Sequence, residues 1–238
     1  MVAKVLTPED SVGQWMVESP GRSRVFEKYG IDYCCGGKTA LRVACDQRGI
    51  RAEAMMAELL SAAGANQTSE ELVDPSRQTM TELADHIERV HHAWLKQELP
   101  RAGGLINRVL AAHGNRVSWL TELKTVFDRF AAEMDAHMFK EERILFPRIR
   151  SIDQGNDGNN DGYVDQPIAI MEHEHDRAGS DLEKMRSLTG GYTPPEGACG
   201  TFRAMLESLN RIEGDTHSHV HKENNILFPR AIAAARRS

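Results

Sequence analysis

The sequence predicts an all-α protein, a four-helix bundle preceded by a small helical N-terminal domain. Three observations lead there. The segment from His137 to Pro147 reads His-x-x-x-Glu-x-x-x-Leu-Phe-Pro, and the same pattern returns 82 residues later, from His219 to Pro229. A long motif that recurs in this way marks a duplicated two-helix unit. Apolar residues recur at helical spacing in the C-terminal two-thirds, as with Leu83, Ile87, Val90 and Leu95. All ten histidines lie between His86 and His221, so their chemistry belongs to the bundle.

Residues 1–65 are assigned to the N-terminal domain, 66–76 to a linker and 77–238 to the bundle. Thr7-Pro8-Glu9-Asp10 predicts a helix start, with a polar cap and proline in the first turn. Ser19-Pro20 opens a second helix that closes at Tyr29-Gly30, where glycine supplies a C-terminal cap. Helical patterns follow at 39–47 and 51–63, and the small residues from Ala63 to Ser69 read as a linker.

The first long helix is expected from Ser76 to Leu99, with a stop near Pro100. A second is expected over 101–113 and a third over 116–149. The stretch from Asp153 to Gly162 resembles an EF-hand loop but lacks the final glutamate, and reads as a surface loop. A further helix is expected over 165–189, then a turn through Pro194-Pro195, then a last helix over 196–221 continuing toward 236.

The composition bounds the function. In 238 residues, 40% are hydrophobic and 27% charged, as in ordinary globular proteins. A net charge of -6 without a long basic stretch argues against nucleic acid. No apolar run approaches the roughly 20 residues that span a bilayer, and the first ten residues lack the apolar core of a signal peptide. A cytoplasmic protein with no membrane partner is the expectation; a homodimer is left open.

Four cysteines, Cys34, Cys35, Cys45 and Cys199, do not form a secreted disulfide framework. Neighbouring Cα atoms stand about 3.8 Å apart, closer than an unstrained disulfide spans, so Cys34 and Cys35 are not a structural staple. The glycines that follow permit a sharp turn exposing both sulfurs, and a thiol function is assigned to the pair. Cys45 and Cys199 read as buried apolar residues.

A spacing of four on a helix puts an imidazole and a carboxylate one turn apart on one face, about 6 Å along the axis. Each repeat therefore offers a metal its His-x-x-x-Glu: His137 with Glu141, and His219 with Glu223. His175 precedes His219 by 44 residues and His92 precedes His137 by 45, so each unit's upstream helix adds one histidine. His113 is included as a fifth, although the second unit has no counterpart for it. The remaining histidines, His86, His91, His173, His217 and His221, are expected beside the ligands or at the surface. Leu145-Phe146-Pro147 and Leu227-Phe228-Pro229 are expected to pack and to bend the helices.

Five histidines and two glutamates are too many for one zinc. They suit two adjacent first-row metals bridged by two carboxylates, with one position open. The ferritin-like arrangement has more carboxylates than histidines. Here the balance is inverted, which favours a hemerythrin-like centre.

At these residues the chain resembles the iron–sulfur cluster repair di-iron proteins, the repair-of-iron-centres family. The likeness covers nearly the whole length. It rests on Asp32-Tyr33-Cys34-Cys35-Gly36-Gly37-Lys38, His137-Met138-Phe139-Lys140-Glu141-Glu142, Met171-Glu172-His173-Glu174-His175-Asp176 and Glu223-Asn224-Asn225-Ile226-Leu227-Phe228-Pro229-Arg230. The resemblance implies a hemerythrin-like bundle with two non-haem irons, oxo-bridged when oxidised, held by His92, His113, His137, Glu141, His175, His219 and Glu223. It implies repair of clusters damaged by nitric oxide or peroxide, with labile iron delivered to damaged iron–sulfur proteins and Cys34 and Cys35 serving the transfer. Two other readings stand beside it: reduction of nitric oxide to nitrous oxide at the di-iron centre, and a sensor that binds dioxygen or nitric oxide.

Overall fold

The computed structural model of the protein describes residues 6–62, 75–155 and 164–237. Two capping boxes start the two parts of the chain. Ser11 and Gln14 exchange side-chain and backbone hydrogen bonds and open α1 (Val12–Glu18). Thr79 and Glu82 do the same for α5 (Met80–His86). Helix α1 therefore begins later than expected: Thr7 donates its N–H and hydroxyl to Asp10, which closes a turn ahead of the helix.

Behind α1, a 3-10 turn (Pro20–Arg22) leads into α2 (Ser23–Lys28), and Gly30 at φ 63° ends the segment. The Cys-Cys-Gly-Gly turn leads to α3 (Leu41–Gln47) and α4 (Ala52–Ala62). These helices close over Trp15, Phe26, Tyr33, Leu41, Met55 and Leu59, all fully buried. Buried Arg22 donates to the carbonyls of Trp15 and Leu59, tying both ends of the unit together.

Four rods make the bundle. The first is α5, a π-turn (Ile87–His92) and α6 (Ala93–His113). The second is α7 (Trp119–Lys140), a π-turn (Glu141–Leu145) and α8 (Phe146–Asp153). The third is α9 (Asp165–Leu188), and the fourth is α10 (Gly200–Lys222), a π-turn (Glu223–Leu227) and α11 (Phe228–Ala235). Arg150 at the end of the second rod bonds Asp85 and Glu88 at the start of the first. Arg236 at the end of the fourth bonds Asp165 at the start of the third. Adjacent rods are therefore antiparallel, as short connections require.

Pro100 does not stop the first rod, which runs unbroken through it. Proline in a helix interior costs about 3 kcal/mol. The continuous stripe of Leu95, Leu99, Ala102, Leu105, Ile106 and Val109 is buried on both sides of it, and each large apolar side chain gives back about 1.5–3 kcal/mol. The predicted break fails because packing outweighs it.

Among the described residues there is no strand, only an isolated bridge between Ser11 and Ala40. The predicted loop at 153–162 begins after Asp153, which ends α8; its residues 156–162 lie outside the described residues, as do residues 66–74 of the predicted linker, whose last two residues open a 3-10 turn (Pro75–Arg77). The bundle holds two apolar cores. One gathers Leu99, Phe127, Phe130, Leu182 and Phe202; the other gathers Leu83, Leu145, Phe146, Ile168 and Phe228. The layer between them is polar.

Candidate metal centre

That layer is set by the three π-turns. In the second and fourth rods the proline after Leu-Phe lacks an N–H and would press on the carbonyl four residues back. The wider π-turn avoids the clash: Phe146 N–H bonds the Glu141 carbonyl and Phe228 N–H bonds that of Glu223, five residues back. The turn rotates both glutamates inward, and each is fully buried.

Around them stand four buried histidines, His92, His137, His175 and His219. Glu141 Oε2 lies 3.3 Å from His137 Nε2 and 3.4 Å from His92 Nε2. Glu223 Oε2 lies 3.2 Å from His175 Nε2, and its Oε1 lies 3.9 Å from His92 Nε2. His219, one helical turn before Glu223, sets its ring 5.8 Å from that of His92. Each glutamate thus spans two histidines on different rods.

The outer ring nitrogens are held from behind. His92 Nδ1 donates to Glu142 at 3.0 Å, His137 Nδ1 to Glu174 at 2.9 Å and His175 Nδ1 to Asn224 Oδ1 at 2.8 Å. His219 Nδ1 faces Asp215 at 3.6 Å. A carboxylate only accepts, so the proton sits on Nδ1 and the Nε2 lone pair points inward. The rings are held in plane as well: Phe146 stacks on His92 at 13° and Phe228 on His175 at 3°. The Phe of each Leu-Phe-Pro is thus a support for a ligand imidazole, a role that goes beyond the predicted packing and bending.

The charges do not close without a cation. Lys96 pairs with Glu142, Lys140 with Glu174, and Lys222 reaches Asp215 through His91. The three outer carboxylates therefore have lysine partners, while Glu141 and Glu223 face only imidazoles. All four of their oxygens, with His92 Nε2 and both nitrogens of His219, are buried without a hydrogen bond. Such groups cost several kcal/mol each when left unpaired. His137 Nε2 and His175 Nε2 stand 2.9 Å apart, close to the separation of two nitrogens bound about 2.1 Å from one ion. His137, Glu141, His175 and Glu223 bring ligand atoms within 4.8 Å of one another, so the residues present fit a bound metal ion.

Titration tells the same story. Burial alone would depress His137, but Glu141 and Glu174 outweigh it and push its pKa up to about 10. Its hydrogen bond with His137 holds Glu174 down at about 2. Glu141 resists burial and stays well below the usual carboxylate range through His137 and His92. The site takes up protons where a metal would sit, so binding metal releases them.

His113 does not join this set. It closes α6 twenty-one residues beyond His92, about 30 Å along the axis, beside Cys199 Sγ and the Phe202 ring. Cys199 is exposed at the N-cap of α10 rather than buried. His91 is buried beside His219, His221 is buried against Tyr33 of the N-terminal domain, and His173 is exposed. Glu142, Glu174 and Asn224 appeared in the sequence reading only as motif residues without a role, and Asp215 not at all. The signal was there: residue 142 and residue 224 both follow the motif glutamate, and Asp215 precedes His219 by four.

The N-terminal domain sits on this layer. Asp32 Oδ1 accepts the N–H groups of Cys34 and Cys35, and Oδ2 accepts that of Gly36, which fixes the turn. The sulfurs are not both exposed as expected: Cys34 is buried and Cys35 half-buried, 3.6 Å apart. Cys35 Sγ donates to the His175 carbonyl at 3.3 Å, and Lys38 pairs with Glu172 at 2.8 Å. From the π-turn, Asn225 donates to the carbonyls of Tyr33 and Cys34. A Cβ on Gly37 would lie 2.4 Å from the Asn225 amide oxygen, so only glycine admits this approach. Cys35 also borders a pocket of ≈ 420 Å³ with Asp32, Asp176, Glu183 and His217.

Comparison with known proteins agrees with the architecture. Residues 84–231 match the family described as "Hemerythrin HHE cation binding domain", and residues 8–63 match ScdA_N, a domain of unknown function. A "Probable iron-sulfur cluster repair protein" of Haemophilus influenzae is 33% identical, covering 94% of this chain and 97% of the relative. Iron-sulfur cluster repair protein YtfE of Yersinia pseudotuberculosis is 34% identical over 93% of this chain and 96% of its own length. Its Yersinia pestis counterpart matches to the same extent. A bundle whose repeated motifs meet around one buried histidine–glutamate layer, with a Cys-Cys domain in front, places this chain in the hemerythrin HHE cation-binding family, among the iron–sulfur cluster repair proteins.

Proposed function

We propose that this chain holds two iron ions between its four histidines and two glutamates, and supplies iron to iron–sulfur clusters damaged by nitrosative or oxidative stress in the cytoplasm. The observation that carries the reading is the pair Glu141 and Glu223, fully buried among imidazoles with all four oxygens lacking a hydrogen bond, in a chain alike over nearly its whole length to proteins named for cluster repair. Iron bound here would supply redox chemistry and affinity for dioxygen or nitric oxide. The chain's own residues hold and orient: Nε2 of each histidine and both carboxylates face inward, and Glu142, Glu174, Asn224 and Asp215 stand behind the rings.

A cleft of ≈ 120 Å³ between α7 and α9 reaches His137 and His175, with Lys140 and Glu174 at its wall. An ion leaving by it meets the Glu174 carboxylate. Cys35 bonds the His175 carbonyl and borders a second, solvent-open pocket, which supports a role for Cys34 and Cys35 in docking or relay.

The test is transfer. The chain is loaded anaerobically with isotopically labelled ferrous iron and mixed with a purified protein whose cluster has lost iron by oxidation. Label in the restored cluster is expected, with at least tenfold less from Glu141→Leu or Glu223→Leu. Equal restoration by metal-free protein would contradict the proposal. The cleft also admits a diatomic gas, which supports a second reading, nitric oxide reduction; nitrous oxide formed with an electron donor, without transfer of label, would favour it.

A further inference from the structure

The two units are related by their repeat, and the repeat exchanges two metal positions. One position lies between His92 and His219, the other between His137 and His175, with Glu141 and Glu223 reaching across. Each position takes one histidine from each unit. A perfect duplication would make them equal.

They differ in what stands behind the rings, most plainly at one repeat position. Residue 142 and residue 224 occupy the same position in the repeat, directly after the motif glutamate. Glu142 accepts from His92 Nδ1 with a carboxylate, whereas Asn224 accepts from His175 Nδ1 with an amide. A carboxylate draws the Nδ1 proton toward itself and makes the ring a stronger donor; an amide does so much less. The other two histidines both face carboxylates, His137 at Glu174 and His219 at Asp215. Each position has one histidine hydrogen-bonded to a carboxylate; the second histidine faces the Asp215 carboxylate at 3.6 Å in the His92/His219 position and bonds only the Asn224 amide in the His137/His175 position.

Access follows the same asymmetry. The ≈ 120 Å³ cleft opens on His137 and His175. His92 and His219 are fully buried, His92 beneath Phe146 and His219 beside His91. The weaker position is the reachable one.

We propose that the two metal positions are unequal, and that Asn224 makes the His137/His175 position the one that gives up its ion first. The inference rests on the two-iron reading above and names which iron is the cargo. Asn224 is a positioning residue that acts through His175.

The experiment follows release of ferrous iron from the full-length, iron-loaded chain to an excess of a coloured ferrous chelator, without oxygen. Two phases of equal size are expected, the first about 10- to 100-fold faster, as outer partners of ligand histidines change affinity by that factor. Asn224→Asp should slow the fast phase about tenfold and leave the slow one unchanged. Glu142→Gln, the mirror change, should speed the slow phase by a similar factor, and provides the test should a buried aspartate at 224 fail to fold. A Mössbauer spectrum taken after the first phase should show one uncoupled iron per chain. Release of two irons in one phase would overturn the inference alone, as would an unchanged fast phase in Asn224→Asp together with an unchanged slow phase in Glu142→Gln. A wild-type chain holding only one iron would overturn the two-iron reading and this inference with it.

Discussion

Each ligand imidazole is defined by what stands behind it. His92, His137 and His175 are fixed through Nδ1, and Phe146 and Phe228 hold two of the rings flat, so the inward nitrogens need no rearrangement to meet a metal. The cysteines obey the same local logic. Cys34 is buried, and its hydrogen bond with Cys35, burial and the nearby Asp32 push its thiol well above the usual range. The thiolate is the reactive form, so Cys34 should resist alkylation at pH 8 in the folded chain. Peptide mapping after iodoacetamide should find Cys199 modified first, Cys35 next, and Cys34 and Cys45 only on unfolding. Rapid modification of Cys34 would contradict its buried setting. The residue scale is also where the sequence was most and least informative. His92, His137, His175, His219, Glu141 and Glu223 were legible because the repeat named each twice. His113 misled because the expected break at Pro100 hid that it ends the helix carrying His92. Glu174 was illegible because its partner, His137, lies on another rod.

At the scale of elements, the helices were legible from spacing and caps, whereas the π-turns were not. A π-turn changes no apolar period over so short a length, and the hint lay only in the prolines after Leu-Phe. These turns do two things in the fourth rod. Glu223 turns into the centre, while Asn225, two residues on, binds the carbonyls of Tyr33 and Cys34. The contact to the Cys-Cys turn and a candidate metal ligand thus share one short segment. Gly37→Ala would force its Cβ into Asn225, so the N-terminal domain should lift from the bundle. The expected outcome is faster proteolysis within residues 6–62 and a loss of stability of about 1–3 kcal/mol, the usual size of an overpacking defect. The bundle's helicity should remain. Unchanged protease resistance would show that the contact with Asn225 does not hold the two parts together.

The whole molecule is two apolar plugs with a charged layer between them and a thiol-bearing domain packed on that layer. Composition and periodicity anticipated the bundle and the small helical unit in front. They could not anticipate the docking, because its contacts join residues more than 130 apart, such as Cys35 with His175 and Lys38 with Glu172. Among the described residues no helix is long and apolar enough to cross a membrane. The layer buries two carboxylates among imidazoles, a costly arrangement that a bound cation would relieve.

The most direct measurement is metal content with a Mössbauer spectrum on protein purified without oxygen, for the native chain and for Glu141→Leu. The account predicts two irons per native chain, magnetically coupled through the bridging carboxylates, and at most one uncoupled iron in the variant. A native chain that holds zinc or a single uncoupled iron, or a variant that keeps two coupled irons, would contradict it.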